Sequence, residues 1–261
     1  MKHLHVTGCR RSGTTLLFEM LSSCFRHDER CDHEQSVFVD TGQDLNEDAV
    51  YFSKKPSDIA FMHRIFQQNP DLFVIYLLRD PRAVVTSIHP TRSDIYYASF
   101  ERWRRYQRAA ASLQGHPRFL QVRYEDLVGS PQLVQAEIEE KFPFLQTRFR
   151  FEDFHLHAQT SKKAEISLRG LRPISTSSLQ NWQQHLPRIQ YQVLKYPDLR
   201  IAVRQYGYET DDSWLQLLDG VKAKSQSYGE ITPNVIKRLE TRLRYFIKTQ
   251  VYLKRRRLRS N

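Results

Sequence analysis

The sequence contains few of the features that mark secreted, membrane-spanning or metal-binding proteins. Its three cysteines, Cys9, Cys24 and Cys31, are an odd number without a pairing pattern, so we expect reduced thiols. Cys24, Cys31 and His33 lack a fourth ligand at a spacing suited to zinc. No run of about 18 apolar residues is present, so no transmembrane helix is expected. Residues 1–13 show no apolar signal segment, so we expect a cytoplasmic protein.

Acidic residues are scarce in only one part of the chain. The net charge is +11, but residues 221–261 contain twelve Lys or Arg and two Glu, which is +10 of that total. Residues 1–220 are therefore close to neutral. This division predicts a folded domain over residues 1–220 and a basic helical tail over residues 221–261. The tail has no known nucleic-acid-binding signature, so nucleic acid is not an expected partner.

Predicted strands alternate with predicted helices along the first 210 residues. Residues 72–78 (LFVIYLL) form a continuous apolar run of strand length, which is typical of a buried parallel strand. The pattern predicts an α/β fold, a three-layer α/β/α sandwich around a parallel sheet of about four or five strands. Residues 157–181 are polar and predict a long loop or lid. The other predicted strands are 3–7, 49–53 and 118–123, and the predicted helices are 14–24, 57–68, 99–113, 131–141 and 194–206.

A phosphate-binding loop is the most informative local pattern. Residues 8–15 (GCRRSGTT) have the spacing Gly-x-x-x-x-Gly between a predicted strand and a predicted helix. Backbone N–H groups in such a loop bind anionic oxygens, and the helix macrodipole adds positive potential. A nucleoside-triphosphate loop needs a lysine after the second glycine, whereas this chain has Thr14. Its positive charge lies inside the loop, at Arg11, which indicates an anion placed differently from a γ-phosphate.

Two segments together resemble the sulfotransferase family. The first, RRSGTTLL from Arg10, resembles the family's 5′-phosphosulfate loop, and the second, LLRDPRAVVTSIH, resembles its 3′-phosphate segment. In the second segment, Arg79 ends a strand, Pro81 begins a helix, and Ser87 follows eight residues after Arg79. An arginine can bind a phosphate through two hydrogen bonds, and a hydroxyl can add a third. The resemblance implies a P-loop-like fold and makes residues 1–220 the catalytic domain.

The resemblance also implies a donor, a product and a set of binding residues. The donor is 3′-phosphoadenosine-5′-phosphosulfate (PAPS), the product is 3′,5′-ADP (PAP), and no metal is expected. VRYEDL resembles a segment near the nucleotide, where Tyr124 is the candidate, and LRGLRPISTSSLQNW resembles a late segment that closes over the 3′-phosphate. In that late segment Arg172 is the candidate and Arg169 competes with it. The expected nucleotide-binding residues are Arg10, Arg11, Ser12, Gly13, Thr14, Thr15, Arg79, Ser87, Tyr124 and Arg172.

The general base is where this sequence departs from soluble members of the family. Those members have Lys-Thr-His after the second strand, with the histidine as base, whereas residues 54–56 here are Lys-Lys-Pro. RCDHEQ, residues 30–35, resembles a segment that supplies a glutamate instead, so Glu34 is the candidate base and His33 the alternative. Arg11 is the other expected catalytic residue, because it can stabilise charge on the leaving nucleotide. Lys54 is an additional candidate at the transferred group.

Other functions are weighed against a sulfotransferase. A P-loop phosphotransferase or kinase needs a lysine after Gly13 and an acidic magnesium ligand, and neither is seen. A basic protein that binds nucleic acid or membrane does not account for the two phosphate segments. The acceptor is a hydroxyl or an amine, and a carbohydrate, lipid, peptide or small metabolite remains open.

The basic tail is predicted to contain an amphipathic helix over residues 231–261. Thr232 and Pro233 have the character of an N-cap and a first helical residue. An apolar stripe then recurs every three or four residues, with basic residues around it. The pattern is compatible with a helix docked on the domain. It is also compatible with an arm that binds an anionic partner or an anionic membrane, and membrane binding would make the protein peripheral to the membrane. The stripe is Ile231, Val235, Leu239, Leu243 and Phe246.

Overall fold

The computed structural model describes residues 1–39, 46–89, 92–226 and 235–260. Short 3₁₀ segments cover Pro56–Phe61, Phe151–Asp153, Asn181–His185 and Ser213–Leu218. The strands and helices within these ranges are, in chain order, β1 Lys2–Gly8, α1 Thr14–Cys24, β2 Glu29–Arg30, β3 Val50–Lys54, α2 Met62–Phe66, β4 Leu72–Leu78, α3 Pro81–Val85, β5 Ile88–His89, β6 Arg92–Tyr96, α4 Phe100–Ala111, β7 Phe119–Arg123, α5 Tyr124–Gly129, α6 Pro131–Lys141, α7 Phe154–His157, α8 Lys162–Leu168, α9 Leu186–Lys195, α10 Asp198–Gln205 and α11 Val235–Ser260.

A five-stranded sheet in the order β2-β3-β1-β4-β7 forms the centre of the fold. Its neighbouring strands all pair in parallel, which confirms the predicted α/β class with a parallel sheet. β1 and β4 are adjacent, and Gly8 at the end of β1 pairs with Leu77 near the end of β4. The phosphate loop after β1 and the segment after β4 therefore leave the same edge of the sheet. A small antiparallel pair, β5 with β6, follows α3 and was not predicted.

Two hydrophobic cores lie on opposite faces of the sheet, as expected for a three-layer sandwich. In β4, Val74, Tyr76 and Leu78 belong to one core, while Ile75 and Leu77 belong to the other. This alternation follows from the two-residue period of a strand. The first core includes residues of α2, α3, α4, α9, α10 and α11, and the second includes residues of α1, α5, α6 and α7. Because both faces of the sheet are covered, the side chains of β4 are buried on both sides and the strand can be apolar throughout.

Three predicted segments differ from the structure in their details. Residues 57–68 form a 3₁₀ segment followed by the short α2. Residues 194–206, predicted as one helix, contain the end of α9 and all of α10, with a break at Tyr196. The break arises because Pro197 disfavours helical backbone at the preceding residue, which is the C-cap of α9 at φ −135° and ψ 81°. The polar segment 157–181 includes α8, whose first turn is capped by the Ser161 hydroxyl, so it is only partly a loop.

The basic tail packs on the domain through an aromatic face of α11. The ring of Tyr245 stacks on that of Phe61 at a centroid distance of 3.6 Å. Asn69 Nδ2 donates a hydrogen bond of 2.7 Å to the hydroxyl of Tyr252, which belongs to the first core. The predicted helix start at Thr232 and Pro233 lies outside the described residues, as does Ile231. None of the helices within the described ranges has the length and hydropathy needed to cross a membrane.

Candidate functional site

The backbone conformation of the loop between β1 and α1 requires glycine at two positions. Gly13 is in the left-handed region at φ 96°, and an added Cβ would lie 2.5 Å from the ring of Tyr124. A Cβ on Gly8 would lie 2.7 Å from Ser12 Oγ. Arg11 is also left-handed, at φ 74°, which is uncommon outside glycine and is associated with functional sites. Steric constraints therefore explain why both positions of the sequence pattern are glycine.

The N-terminus of α1 is suited to an anion. Gly13 is its N-cap, and no side chain accepts a hydrogen bond there. The first turn contains no acidic residue. The exposed N–H groups of such a turn and the helix dipole both favour negative charge. Thr14 and Thr15, in this turn, line a cavity of about 600 Å³.

The two segments recognised in the sequence meet in this cavity. Arg11 Nε donates a hydrogen bond of 2.8 Å to Ser87 Oγ. Arg79 Nη1 donates one of 3.2 Å to the carbonyl oxygen of Arg11. The guanidinium of Arg79 also lies over the ring of Tyr124, 4.0 Å from its centroid. Burial lowers the pKa of Arg11, and the nearby charges of Arg79 and Arg169 lower it further, so these cations repel one another. An anion among them would relieve that repulsion.

Arg79 has unused hydrogen-bonding capacity. Its Nε is buried and has no hydrogen-bond partner, and this counts as an orphaned donor. The position of its backbone is fixed by Trp103 Nε1, which donates a hydrogen bond of 2.9 Å to the Arg79 carbonyl oxygen. A buried donor without a partner is costly unless a ligand completes it. The orphaned Nε and the surrounding arginines therefore fit a bound phosphate.

The neighbouring Arg82 has a structural role instead. Its side chain is 3% exposed and forms an ion pair of 2.8 Å with Asp80, the N-cap of α3. It also pairs with Glu209 at 2.6 Å and lies over the ring of Trp182, 4.2 Å from its centroid. These contacts hold α3 and the turn before it against the first core. They thereby position Arg79, which precedes α3, and Ser87, which follows it.

The candidate bases lie on a segment anchored to β3. Gln35 N donates a hydrogen bond of 3.0 Å to the carbonyl oxygen of Lys54. Asp58 Oδ2 accepts hydrogen bonds of 2.8 Å from both Ser36 Oγ and Val37 N. Glu34, immediately before this anchored stretch, lines the cavity together with His33. Burial and the charge of Lys54 lower the pKa of His33, so its imidazole is neutral at neutral pH.

Lys54 brings a buried positive charge to the phosphate loop. It is 1% exposed, and its Nζ donates a hydrogen bond of 2.9 Å to Thr15 Oγ1. Burial lowers its pKa, because the charged form loses its hydration. Lys54, an additional candidate in the sequence, therefore contacts the start of α1 from the neighbouring strand but is not among the residues that line the cavity.

The late polar segment covers another side of the cavity. Arg169 and Arg172, the competing candidates, both line it. Ser178 Oγ lies 3.1 Å from the hydroxyl of Tyr124, which connects the segment to the start of α5. Tyr97 is a lining residue that the sequence analysis missed, and its hydroxyl accepts a hydrogen bond of 2.9 Å from Arg10 Nη1. No local sequence pattern marks Tyr97, since it follows the unpredicted strand β6.

The structure brings together all but one of the predicted site residues. Ser12 is fully buried, and its hydroxyl donates a hydrogen bond of 2.6 Å to the carbonyl oxygen of Cys9. Its side chain therefore stabilises the loop and does not line the cavity. Within the described part of the chain, no group of three metal-binding side chains is close enough to hold an ion. The predicted residues that line the cavity are Arg10, Arg11, Gly13, Thr14, Thr15, Glu34, Arg79, Ser87, Tyr124 and Arg172.

A second buried polar cluster, on β1 and β3, was not predicted. The side chains of His3 and His5 each lie 2.6 Å from Ser53 Oγ. His5 Nε2 also lies 3.6 Å from Asp58 Oδ2, the atom that anchors the Glu34 segment. Burial lowers the pKa of His5 well below its usual value, and the fold therefore holds a neutral imidazole there. The cluster links the interior of the sheet to the anchor of the candidate base.

The fold and the cavity define an α/β protein with an arginine-lined cleft at the carboxyl ends of its central strands. A model of the sulfotransferase family matches residues 29–144, less than half of the chain. The matched range includes Glu34, Lys54, Arg79, Ser87 and Tyr124, whereas the phosphate loop precedes it. The match supports assignment of the chain to the sulfotransferase family, and the resemblance seen in the sequence is confirmed.

Solved structures with the same fold are also sulfotransferase domains. The sulfotransferase domain from the curacin biosynthetic pathway is 15% identical, with a TM-score of 0.56 over 80% of this chain and 98% of that one. The sulfotransferase domain from the Synechococcus PCC 7002 olefin synthase is 18% identical, with a TM-score of 0.50 over 70% of this chain and 86% of that one. At these identities the matches establish the fold. No curated protein matches the sequence significantly.

Proposed function

We propose that this protein is a sulfotransferase that transfers a sulfuryl group from PAPS to a hydroxyl or amine acceptor. The observation that carries the proposal is the hydrogen bond of 2.8 Å from Arg11 Nε to Ser87 Oγ. It joins the segment that resembles a 5′-phosphosulfate loop to the segment that resembles a 3′-phosphate site. A nucleotide with phosphates at both positions needs two anion sites within one cavity, and this contact brings the two candidates together.

The two anion sites would hold the two ends of the donor. Arg10, Arg11, Thr14, Thr15 and the amides of the phosphate loop would bind its 5′ end. The 3′-phosphate would be bound by Arg79, with its orphaned Nε, and by Ser87 and Arg172. The ring of Tyr124, already covered on one face by the Arg79 guanidinium, would border the adenosine. Arginine suits both sites because its planar donor fork matches phosphate oxygens.

The chemistry needs charge stabilisation at one end and a base at the other. When bound, the donor supplies an activated sulfuryl group and a nucleotide leaving group. Arg11 would stabilise the negative charge that develops on the leaving oxygen, because its cation is fixed before the reaction. Glu34 would accept the proton of the acceptor as the acceptor oxygen or nitrogen bonds to sulfur. The sulfur–oxygen bond to the nucleotide breaks, and its electron pair leaves with 3′,5′-ADP.

The direct test is a transfer assay with an acceptor panel. The purified full chain would be incubated with PAPS and, separately, with carbohydrate, lipid, peptide and small-metabolite acceptors that carry hydroxyl or amine groups. Mass spectrometry should detect at least one acceptor that has gained a single SO₃ group, with 3′,5′-ADP formed in equal amount. Transfer of a phosphoryl group from ATP with magnesium, without sulfuryl transfer from PAPS, would contradict the proposal.

A further inference from the structure

The described residues of helix α11 form two different apolar faces, one buried against the domain and the other largely exposed. Tyr245, Thr249, Tyr252 and Leu253 form the docked face, which contacts Phe61 and Asn69. The second face contains Ile236, Leu239, Leu243, Phe246 and Ile247, which we call the apolar stripe. Its members recur at helical spacing and belong to a different side of the helix from the docked face.

The apolar stripe is open to solvent. The side chains of Ile236, Leu239 and Leu243 are 64%, 57% and 59% exposed, and those of Phe246 and Ile247 are about half exposed. Four of the five line a shallow groove of about 580 Å³ together with Arg64 of α2 and Glu240 of α11. Single exposed leucines are ordinary on a protein surface, but a contiguous apolar groove marks an interaction surface. Of the stripe predicted from the sequence, Leu239, Leu243 and Phe246 belong to this surface, and the helix docks through its aromatic face.

Positive charge lies beside the stripe and farther round the helix. The Arg64 guanidinium lies 5.8 Å from the centre of the Phe246 ring. Arg244 and Lys248 are exposed on the helix itself, toward its docked face. The sequence of residues 235–260 contains ten Lys or Arg and one Glu, so the helix carries a charge of +9. The combination is an apolar strip with basic margins, formed by Arg64 of the domain and by the exposed basic residues of the helix.

We propose that the apolar stripe docks on an anionic lipid surface, with α11 lying along the surface and not crossing it. This goes beyond the proposed catalytic function, since no part of the stripe lines the catalytic cavity. Both properties of the helix are used at such a surface, because apolar side chains enter the acyl boundary and basic side chains meet anionic headgroups.

Charge decides between this surface and the other possible occupants of the groove. A second copy of the chain would bring another +9 helix against the first, and the like charges would repel. Nucleic acid would satisfy the charge but leave the apolar stripe in water. An anionic bilayer is the partner whose charge and apolar interior complement the two parts of the surface together.

The test is sedimentation of the full chain with lipid vesicles. One set of vesicles would be pure phosphatidylcholine, and the other would contain phosphatidylserine as well. The test variant is the double substitution Leu239→Gln and Leu243→Gln. The matched control is Leu133→Gln with Leu194→Gln, which changes two leucines of similar exposure, 72% and 65%, on α6 and α9. Circular dichroism and thermal melting would check that all variants are folded.

The native chain and the control should bind the anionic vesicles and not the neutral ones. The test variant should bind at least about tenfold more weakly, because two partly inserted leucines are lost. Added salt should weaken binding by the native chain. As an independent readout, Leu243→Trp should show a blue-shifted emission when anionic vesicles are added.

Three results would overturn the proposal. Equal binding of the test variant and the control to anionic vesicles would mean that charge alone is responsible. Equal binding of the native chain to neutral and anionic vesicles would remove the role of the basic margins. Absence of vesicle binding, with a dimer that the test variant abolishes, would assign the stripe to a second copy of the chain.

Discussion

The candidate-site cavity and helix α11 are both strongly basic, but they hold their positive charges differently. In the cavity, Arg11 and Arg79 are partly buried and are fixed by hydrogen bonds to Ser87 Oγ and to the Arg11 carbonyl oxygen. On α11, side chains such as Arg244 and Lys248 are exposed. Fixed charges in a cleft can select the geometry of one anion, whereas exposed charges are screened by salt and attract any anionic surface.

The two regions also differ in how apolar groups are used. In the cavity, the ring of Tyr124 is packed between the Arg79 guanidinium and the position where a Gly13 Cβ would be. On α11, the residues of the apolar stripe are about half exposed or more, and the Phe246 ring lies beside the Arg64 guanidinium. The two proposals therefore assign specific recognition to the cavity and surface attachment to the helix. Variants of the two regions, from the largest expected effect to the smallest, test this division.

Glu34→Gln should have the largest effect on turnover. The substitution keeps the shape of the side chain but removes the proposed base, and general-base catalysis contributes roughly 10²–10⁴-fold. Affinity for 3′,5′-ADP should remain unchanged, because Glu34 belongs to the acceptor side. The measurement is kcat together with nucleotide affinity by calorimetry. Turnover that is unaffected at every pH would move the role to His33, whose lowered pKa keeps it unprotonated near neutral pH.

Arg11→Ala should reduce kcat by roughly 10²–10³-fold, because it removes a fixed charge at the leaving group. A matched control is Arg150→Ala, which removes an exposed arginine whose only described ion pair is with Glu152. The control should be fully active. Comparable activity of the two variants would show that the charge of Arg11 matters no more to turnover than that of a surface arginine.

Arg79→Ala should weaken binding of 3′,5′-ADP by roughly 10- to 100-fold, the usual value of a hydrogen-bonded charged contact. Binding of 5′-AMP, which lacks the 3′-phosphate, should change much less. The ratio of the two affinities, measured by calorimetry, separates loss of a phosphate contact from general damage to the cavity. An equal loss for both nucleotides would contradict the assignment of Arg79 to the 3′-phosphate.

Gly13→Ala should lower the free energy of unfolding by roughly 2 kcal/mol, because it combines a left-handed backbone with a steric clash against Tyr124. Gly129→Ala is the control, since a Cβ there meets nothing within 4 Å and its φ is not in the left-handed region. Urea denaturation of both variants measures the difference. Similar stability of the two would show that the loop backbone is not constrained as described.

Tyr252→Phe should have the smallest effect, a loss of about 1 kcal/mol in the free energy of unfolding, because Asn69 loses a buried acceptor. Tyr191→Phe, which removes only an exposed contact with Lys195, should leave stability unchanged. Neither variant should alter affinity for 3′,5′-ADP, since the helix is distant in sequence from the proposed nucleotide segments and its described side chains do not line the cavity. A change in nucleotide affinity for Tyr252→Phe would connect the two regions.

Much of the fold could be predicted because its signals are local. The apolar run of β4, the alternation of β1 and the glycine spacing of the phosphate loop each require only a few neighbouring residues to interpret. The antiparallel pair β5 and β6 was missed because its pairing depends on a turn and not on an apolar pattern. The break between α9 and α10 was missed although Pro197 is a recognised signal for it.

The site could be predicted in part for the same reason. Residues within the two phosphate segments were identified because the spacing of their residues is typical of phosphate-binding segments. Ser12 lies in the right segment but turns to the Cys9 carbonyl oxygen, and spacing cannot show the direction of a side chain. Contacts between distant segments, such as Lys54 with Thr15 and Tyr97 with Arg10, depend on sheet order and were beyond the local patterns. The assignment of residues 1–220 and 221–261 to a catalytic domain and a tail stays a prediction.

The most direct test of the central claim is thermal stabilisation of the full chain by nucleotides. Because a ligand that binds only the folded state raises the melting temperature, 3′,5′-ADP should raise it clearly, whereas ATP with magnesium should have little effect. The stabilisation should disappear in a variant that carries both Arg11→Ala and Arg79→Ala. Stabilisation by ATP with magnesium and none by 3′,5′-ADP would contradict the account, because the cavity would then be built for a different nucleotide.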